Sequence, residues 1–126
     1  LPELAMLEDL QATLIEDNSE SPFYGVYFGD KLVARMSLYK IDAKFDKYFD
    51  PPQDYYEIWK LEVLPDYQKK GYGSMLVQFA KNLGLPLKTN PRVHSGAFWE
   101  KQGFEPVEYD MERDLGENPL IWKPEY

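Results

Sequence analysis

Residues 68–73, with the sequence QKKGYG, are the part of the chain best suited to binding chemistry. They follow an apolar run at residues 58–65 that is typical of a strand, and they lead into a helical pattern at residues 74–83. Gly71 and Gly73 let the backbone approach a ligand closely. The first N–H groups of a helix lack intrahelical acceptors and point at an anion, which the helix dipole also favours. The segment therefore predicts a site for a phosphorylated, nucleotide-like ligand.

Two common phosphate loops do not fit this segment. The P-loop requires a lysine and then a serine or threonine after its last glycine, whereas Gly73 is followed directly by Ser74 and Met75. The dinucleotide-binding fingerprint requires three glycines, and only Gly71 and Gly73 occur here. The ligand must therefore belong to another class of nucleotide-like molecule.

The composition limits what the chain can be. A length of 126 residues suits one domain, which we expect to span residues 1–126. A net charge of −8 argues against nucleic acid as a partner. It is compatible with a cationic substrate such as an amine, and solubility is the simpler explanation of it. The chain has no cysteine, which removes disulfides and thiolate sites, and its one histidine, His94, leaves no histidine pair for a metal.

Targeting signals are not recognisable in the sequence. No apolar run approaches the length of a membrane span, and no signal peptide precedes the chain as given. The lack of cysteine is compatible with a reducing compartment. We therefore expect a cytoplasmic protein with no membrane partner.

The predicted elements that position the glycine turn form one mixed sheet with helices packed on it. A helix is predicted over residues 3–16, a hairpin turns at Gly29 and Asp30, and residues 42–54 are predicted as an exposed loop. The remaining predictions are the hairpin strands 23–28 and 31–41, the strands 55–64, 85–89, 104–111 and 120–123, and the helices 74–83 and 93–101.

Residues 68–73 resemble the Gln/Arg-x-x-Gly-x-Gly/Ala signature of the GNAT superfamily of N-acetyltransferases. Upstream, residues 61–67 resemble the strand, proline, acid and tyrosine that lead into this signature. Downstream, residues 97–104 resemble a helix that typically ends in Lys-x-Gly-Phe. The resemblance covers about residues 23–124. Within the superfamily, residues 59–65 and 118–122 are most similar to the YlbP-like bacterial acetyltransferases.

This resemblance implies an α+β fold (α/β in some schemes) of the GNAT acyl-CoA N-acyltransferase type. Its single mixed, mostly antiparallel sheet is flanked by helices. The superfamily usually opens with a strand and a helix before the hairpin. Since this chain begins inside a predicted helix, we expect the first strand to be missing or to lie outside the 126 residues, as in a truncated or partly ordered N-terminus.

The resemblance also implies acetyl-CoA as the acyl donor, with no metal. Backbone N–H groups of residues 68–74 would hold the pyrophosphate, and main-chain groups of residues 61–63 would pair with the pantetheine arm and polarise the thioester carbonyl. Lysines at such a turn either add positive charge for the phosphates or belong to a solvated loop. The expected cofactor-binding residues are Leu61, Val63, Gln68, Lys69, Lys70, Gly71, Tyr72, Gly73, Ser74, Arg92 and Trp99.

Glu57 is the expected general base, because it resembles in position the catalytic glutamate of the superfamily's histone acetyltransferases, counted from the glycine turn. An amine arrives mostly as ammonium and must lose a proton before it attacks. Glu62 is the alternative. In a regular strand only one of the two would face the cleft, since their positions have opposite parity.

Two positions depart from the superfamily pattern. Trp99 stands where a tyrosine often protonates the CoA sulfur, and an indole cannot deliver that proton. We expect Trp99 to pack against the pantetheine arm or the core, while water or a phenol such as Tyr109 or Tyr72 protonates the thiolate. Arg92 replaces a usual asparagine and could reach a phosphate.

Two functions follow as alternatives. The first is an N-acetyltransferase that acetylates a small amine or a protein amino group by direct attack in a ternary complex, since no cysteine can carry an acyl intermediate. The second is a CoA-binding sensor or partner module with little or no transfer, which Trp99 favours and Glu57 opposes. A weaker third is a phosphate-binding module for another nucleotide. A homodimer through the segment 120–122 is also open.

Overall fold

The computed structural model of the chain describes residues 3–6, 23–91 and 95–125. Its strands are Glu3–Met6 (β1), Phe23–Phe28 (β2), Lys31–Ile41 (β3), Tyr55–Val63 (β4), Leu87–Thr89 (β5), Glu105–Pro106 (β6) and Leu120–Trp122 (β7). Its α-helices are Tyr72–Lys81 (α1), Gly96–Lys101 (α2) and Met111–Asp114 (α3), and short 3-10 helices lie at Ala43–Phe45 and Pro65–Tyr67. None of the helices in these ranges has the length and apolar character needed to cross a membrane.

The described strands form one sheet in the order β1-β2-β3-β4-β5-β7-β6. Neighbouring strands are antiparallel except β4 and β5, which run parallel. A parallel pair needs a long crossover, and the segment containing α1 supplies it. The predicted mixed, mostly antiparallel sheet with helices packed on it is confirmed.

The first strand corrects the expectation for the N-terminus. Glu3–Met6 pairs antiparallel with β2, with Glu3 opposite Tyr27 and Met6 opposite Tyr24. The prediction of a helix beginning at residue 3 is wrong, and so is the expectation that no strand precedes the hairpin. A few residues at the start of an apolar stripe are compatible with the periodicity of a helix and with that of a strand. Pairing with the edge of β2 gives them backbone hydrogen bonds and therefore decides for the strand. The rest of the predicted helix, residues 7–16, lies outside the described residues.

The hairpin and the central strand lie where the sequence predicts them. β2 and β3 meet at Gly29 and Asp30, and Gly29 has a φ of 62° that favours glycine. β4 ends one residue before its predicted end. α1 begins at Tyr72, two residues before the predicted start, because Gly71 already serves as its N-cap.

The C-terminal part differs from the prediction. A strand is predicted over residues 104–111, but β6 covers only Glu105–Pro106. Asp110 is then the N-cap of α3, since its carboxylate accepts hydrogen bonds from the N–H groups of Glu112 and Arg113. An acidic N-cap of this kind favours a helical turn over a continuing strand.

β7 is flanked on both sides within the described sheet. Leu120 pairs with Thr89 of β5 and with Pro106 of β6, and Ile121 likewise has a partner on each side. These two residues therefore do not offer a free strand edge to a second chain. The predicted exposed loop 42–54 is also partly wrong, because Phe49 is buried against Tyr55, with ring centroids 5.2 Å apart.

α1 packs on one face of the sheet and completes the core. Its Leu76, Val77 and Ala80 are fully buried in a cluster with Met36 of β3 and Ile58 of β4. These positions lie on one side of a helix, as the apolar stripe of α1 predicts. The core thereby fixes the start of α1 relative to β4, which is where the predicted site residues meet.

We predict that Leu76→Ala lowers the free energy of unfolding by about 2–5 kcal/mol, because it leaves a cavity beneath α1. Leu83→Ala is the matched control. Leu83 is 42% exposed, so its truncation should cost less than about 1 kcal/mol. Urea denaturation followed by circular dichroism measures both, and equal losses at the two positions would contradict this packing.

Candidate functional site

A cleft opens in the sheet where β5 ends. β5 pairs with β4 only from Tyr56 opposite Leu87 to Ile58 opposite Thr89, whereas β4 runs on to Val63. Among the described residues, the rest of β4 has a strand neighbour on the β3 side alone. A cleft of about 1090 Å³ lies on its other side, with walls formed by β4, the turn before α1, residues 89–91 and α2.

Backbone N–H groups of β4 point into this cleft. The N–H of Leu64 donates to the carbonyl oxygen of Val33 in β3 at 2.9 Å. Because successive N–H groups along a strand point to alternate sides, those of Val63 and Leu61 point away from β3. Both residues line the cleft. The residues predicted to meet a pantetheine arm therefore present hydrogen-bond donors to the open side.

A β-bulge in β4 decides which side chains share a face. Ser37 of β3 pairs with Trp59, and Arg35 pairs with Glu62, so two β4 residues lie opposite one β3 residue between these pairs. Lys60, the first of the two, has a φ of 51°, a left-handed conformation that is uncommon outside glycine. The bulge shifts the alternation of side chains by one residue.

This shift corrects the parity argument for the two glutamates. Glu57 pairs with Tyr39 and Glu62 pairs with Arg35. Tyr39 and Arg35 lie on one face of β3, so Glu57 and Glu62 also lie on one face, contrary to the expectation for a regular strand. They differ in their surroundings: Glu57 lines the cleft, whereas Glu62 is outside its lining and accepts from Nη2 of Arg35 at 2.7 Å.

The glycine turn presents helix N–H groups at the cleft. Gly71 is the N-cap of α1 with a φ of 89°, and no side chain caps the helix there. The N–H of Met75 donates to the carbonyl oxygen of Gly71 at 3.0 Å. The N–H groups of Tyr72, Gly73 and Ser74 precede this first helical bond and have no intrahelical acceptor. This is the anion-binding arrangement that the sequence predicts.

Gly73 lets α1 and α2 approach closely. A Cβ atom at this position would lie 3.2 Å from Cε1 of Phe98, so a larger residue would displace that ring. The amide Nε2 of Gln102 donates to Oγ of Ser74 at 2.9 Å, which joins the start of α1 to the end of α2. Packing and a hydrogen bond therefore both hold the turn in place.

Most of the predicted site residues line the cleft together. They are Glu57, Leu61, Val63, Gln68, Lys69, Gly71, Tyr72, Gly73, Ser74 and Trp99. The side chain of Gln68 is used within the protein, since its Nε2 donates to the carbonyl oxygen of Val63 at 3.1 Å. Within the described residues, no group of three or more His, Cys, Asp or Glu side chains is placed to hold a metal ion.

The other candidates lie elsewhere. Lys70 does not line the cleft, and its ammonium group lies 5.6 Å from the centroid of the Tyr67 ring. Tyr109 is also outside the lining, and its hydroxyl oxygen accepts a hydrogen bond from the N–H of Gly116 at 3.0 Å. Arg92 and His94 lie outside the described residues. Of the two phenols considered as acids, Tyr72 is the one placed at the cleft.

Glu57 is held by two side chains to which the sequence assigned no role. Its Oε1 accepts from Nζ of Lys88 at 2.7 Å, and its Oε2 accepts from the indole N–H of Trp59. The signal in the sequence that could have indicated this contact was a lysine inside the short predicted strand 85–89. The sequence could not reveal that this strand runs parallel to β4 and sets residue 88 beside residue 57.

The buried carboxylate of Asp114 is linked to this pair through the side chain of Tyr48. Nζ of Lys88 lies 4.7 Å from the centroid of the Tyr48 ring, and the Tyr48 hydroxyl donates to Oδ1 of Asp114 at 3.1 Å. Nε of Arg113 donates to the same oxygen at 2.8 Å. The Arg113 bond, followed by the N–H of Asp110 and by Tyr48, holds the pKa of Asp114 well below its usual range. Burial first, and then Asp114, raise the pKa of Tyr48 to about 12.

Comparison with known proteins identifies the family of this chain. A family model described as the acetyltransferase (GNAT) family matches residues 2–104. The chain belongs to the GNAT family. An uncharacterized N-acetyltransferase of Bacillus pumilus is 66% identical to it over 124 residues, which cover 98% of this chain and 78% of the relative.

Solved structures agree with this membership. The crystal structure of the Bacillus subtilis N-acetyltransferase YlbP in complex with coenzyme A matches with a TM-score of 0.85 and 49% identity, covering 98% of this chain and 97% of that chain. The AtaT Y144F mutant toxin, bound to the C-terminus of the antitoxin AtaR and acetyl-CoA, matches with a TM-score of 0.73 at 15% identity, covering 97% and 92%. The second likeness shows the fold alone. The predicted family and its likeness to YlbP are confirmed.

Trp99, where this chain departs from the GNAT sequence pattern, is part of the core. It is 4% exposed and packs edge-on against Phe98 and Phe104, with ring centroids 5.1 and 5.0 Å away. It also contributes to the lining of the cleft. The structure therefore favours packing as the reason for an indole at this position of the GNAT fold.

We predict that Asp114→Asn makes stability less dependent on acid pH. Because the pKa of Asp114 is lowered in the native state, the unfolded chain binds this proton at a higher pH than the native chain. The stabilisation is thus present above about pH 4 and is lost as the pH falls through the native pKa. Urea midpoints measured from pH 7 to pH 2 should fall less steeply in the variant, and parallel curves for variant and parent would disprove the assignment.

Proposed function

We propose that this GNAT protein transfers the acetyl group of acetyl-CoA to a primary amine by direct attack in a ternary complex. The observation that carries the proposal is the convergence of three features in one cleft. They are the outward N–H groups of β4, the N–H groups at the start of α1, and the carboxylate of Glu57. The N–H groups of β4 suit a carbonyl oxygen, and those at the start of α1 suit an anion. The carboxylate of Glu57 suits an ammonium group.

The donor would lie along β4 and the glycine turn. The N–H groups of residues 72–74 face an anion such as a pyrophosphate, and the lysine of the turn that lines the cleft, Lys69, adds charge. The N–H groups of Leu61 and Val63 face a pantetheine arm and a thioester carbonyl. The YlbP structure in complex with coenzyme A, at 49% identity, supports this assignment.

The chemistry would proceed in one displacement. Glu57 accepts a proton from the ammonium group, and the freed nitrogen attacks the thioester carbonyl carbon. Donors on β4 stabilise the charge that develops on the carbonyl oxygen. The new C–N bond forms, the C–S bond breaks, and the nitrogen gives its second proton to solvent as the amide forms. The leaving thiolate takes a proton from water or from the hydroxyl of Tyr72, which lines the same cleft and regains its proton from solvent.

The acceptor amine is either a small molecule or a protein amino group. No nucleic acid or membrane takes part in the proposed reaction, and the chain acts alone or as a homodimer. The cytoplasm, where acetyl-CoA is available to bacterial enzymes, is the proposed location. The alternative is a CoA-binding sensor without turnover, and the observation that favours it is Trp99, which leaves no phenol at that position.

We predict that Glu57→Gln lowers kcat by about 100-fold or more, because the amide cannot accept the proton of the amine. Free-thiol release from acetyl-CoA measures the rate, with a panel of alkylamines, arylalkylamines, polyamines and a lysine peptide as acceptors. Glu62→Gln is the matched control: it lies on the same face of β4, outside the cleft lining, and should stay within a few-fold of the parent. A parent-like rate for Glu57→Gln would exclude Glu57 as the base.

We predict that Gly71→Ala weakens the stabilisation of the protein by coenzyme A, because a side chain strains the left-handed turn that aims the helix N–H groups. Gly84→Ala is the control. Its φ of 88° almost equals the 89° of Gly71, so the intrinsic backbone strain is similar, but it does not line the cleft.

Thermal unfolding with and without coenzyme A measures this effect, with ATP as the comparison ligand. Stabilisation of the parent by coenzyme A and not by ATP is the expected result. If coenzyme A stabilises the parent but no amine in the panel releases thiol, the result supports the sensor alternative. If neither ligand raises the Tm, the proposed cofactor is wrong.

A further inference from the structure

Lys88 is a buried, charged partner of Glu57, which lines the cleft. Its side chain is 7% exposed, and Nζ lies 2.7 Å from Oε1 of Glu57, whose own side chain is 13% exposed. A buried ion pair gains little net stability over an apolar pair of the same shape, whereas removal of one partner is costly. Stability alone therefore gives a weak reason for a lysine inside the sheet.

The place of Lys88 is fixed by backbone pairing. Glu57 of β4 and Lys88 of β5 are register partners in the parallel pair, and the next pair, Ile58 and Thr89, is the last before the cleft. The ammonium group is therefore delivered to the carboxylate by the same three-residue strand whose end opens the cleft. Lys88 itself does not line the cleft, so its contact with the site is through Glu57.

Two further contacts limit the freedom of this pair. The ring of Tyr48 covers the ammonium group of Lys88 at 4.7 Å, and Asp114 holds the Tyr48 hydroxyl at 3.1 Å. On the other side, the indole N–H of Trp59 donates to Oε2 of Glu57. Trp59 in turn stacks on Tyr39, with ring centroids 5.9 Å apart and planes 15° apart. Both carboxylate oxygens are therefore anchored by side chains that are themselves held.

We propose that Lys88 is a positioning residue of the acetyl transfer. Through its bond to Oε1, it sets the direction in which the Glu57 carboxylate faces the incoming amine. This inference rests on the proposed function, and in particular on Glu57 as the base. A displacement of about 1 Å can cost a catalytic group on the order of 100-fold in rate, so loss of this anchor should approach the loss of the base itself without exceeding it.

The decisive experiment is a double-mutant cycle on thiol release from acetyl-CoA, using the panel amine on which the parent is fastest. Lys88→Met should lower kcat by about 10- to 100-fold, with the KM for acetyl-CoA and the stabilisation by coenzyme A unchanged. In the Glu57→Gln background the same substitution should have no further effect, because Lys88 acts through Glu57. Lys88→Arg, which keeps a cationic donor, should recover part of the lost rate.

Lys81→Met is the matched control. Lys81 is also a partly buried lysine over an aromatic ring, with Nζ 5.1 Å from the centroid of Trp122, and it does not line the cleft. Its substitution should change Tm without a comparable loss of kcat. If Lys88→Met is too unstable to assay, Tyr48→Leu, which removes the cover of the ammonium group, tests the same anchor.

The outcomes separate this inference from the function on which it rests. If Glu57→Gln has a low kcat and Lys88→Met has a parent-like kcat, Glu57 remains the base and the positioning role of Lys88 is wrong. Equal loss on Lys88→Met in both backgrounds shows that Lys88 acts independently of Glu57, which also overturns it. A parent-like kcat for Glu57→Gln would show that Glu57 is not the general base, and the proposed function would then lose its base as well. Loss of stabilisation by coenzyme A in Lys88→Met would mean that the substitution disturbs the donor site and that Lys88 has a structural role only.

Discussion

Three register pairs join β4 to β5, and the end of this pairing at Ile58 and Thr89 is the constraint on which the site depends. Before that point, the pairing sets Lys88 beside Glu57. Beyond it, alternate N–H groups of β4 point away from β3 to the open side, and the cleft occupies the space that a longer β5 would fill. The length of one short strand thus defines both the opening and the charged pair at its edge.

Features that depend on neighbouring residues could be predicted from the sequence. The glycine turn, β4 and α1 are examples, because their turn chemistry, apolar runs and helix periodicity lie within a few residues of one another. The pair of Glu57 and Lys88 spans 31 residues, and that of Tyr48 and Asp114 spans 66, so local patterns could not indicate either. The edge strand β1 was missed for the same reason, since its conformation is decided by pairing with β2. The bulge at Lys60 left no glycine or other turn signal in the sequence.

The net charge of −8 does not describe the surroundings of the site. The three carboxylates Glu57, Glu62 and Asp114 each have a cationic partner, at 2.7, 2.7 and 2.8 Å. Compensated charges attract an approaching cation less than isolated ones do, and salt screens long-range attraction to the rest of the surface. The overall acidity is therefore a poor guide to the amine. The aromatic faces and the dimensions of the cleft constrain the choice of acceptor more directly.

The bulge at Lys60 separates the number of residues in β4 from the register of the sheet. Glu62 lies five positions after Glu57, yet their partners in β3 are four positions apart, so one extra residue is absorbed between them. A deletion of Lys60 would leave four residues for four places. Glu62 and Val63 would then keep their faces, and β4 would lose only the local bend and the left-handed residue. A change of one residue in length at this point therefore alters the shape of the cleft wall and not the set of groups that face the cleft.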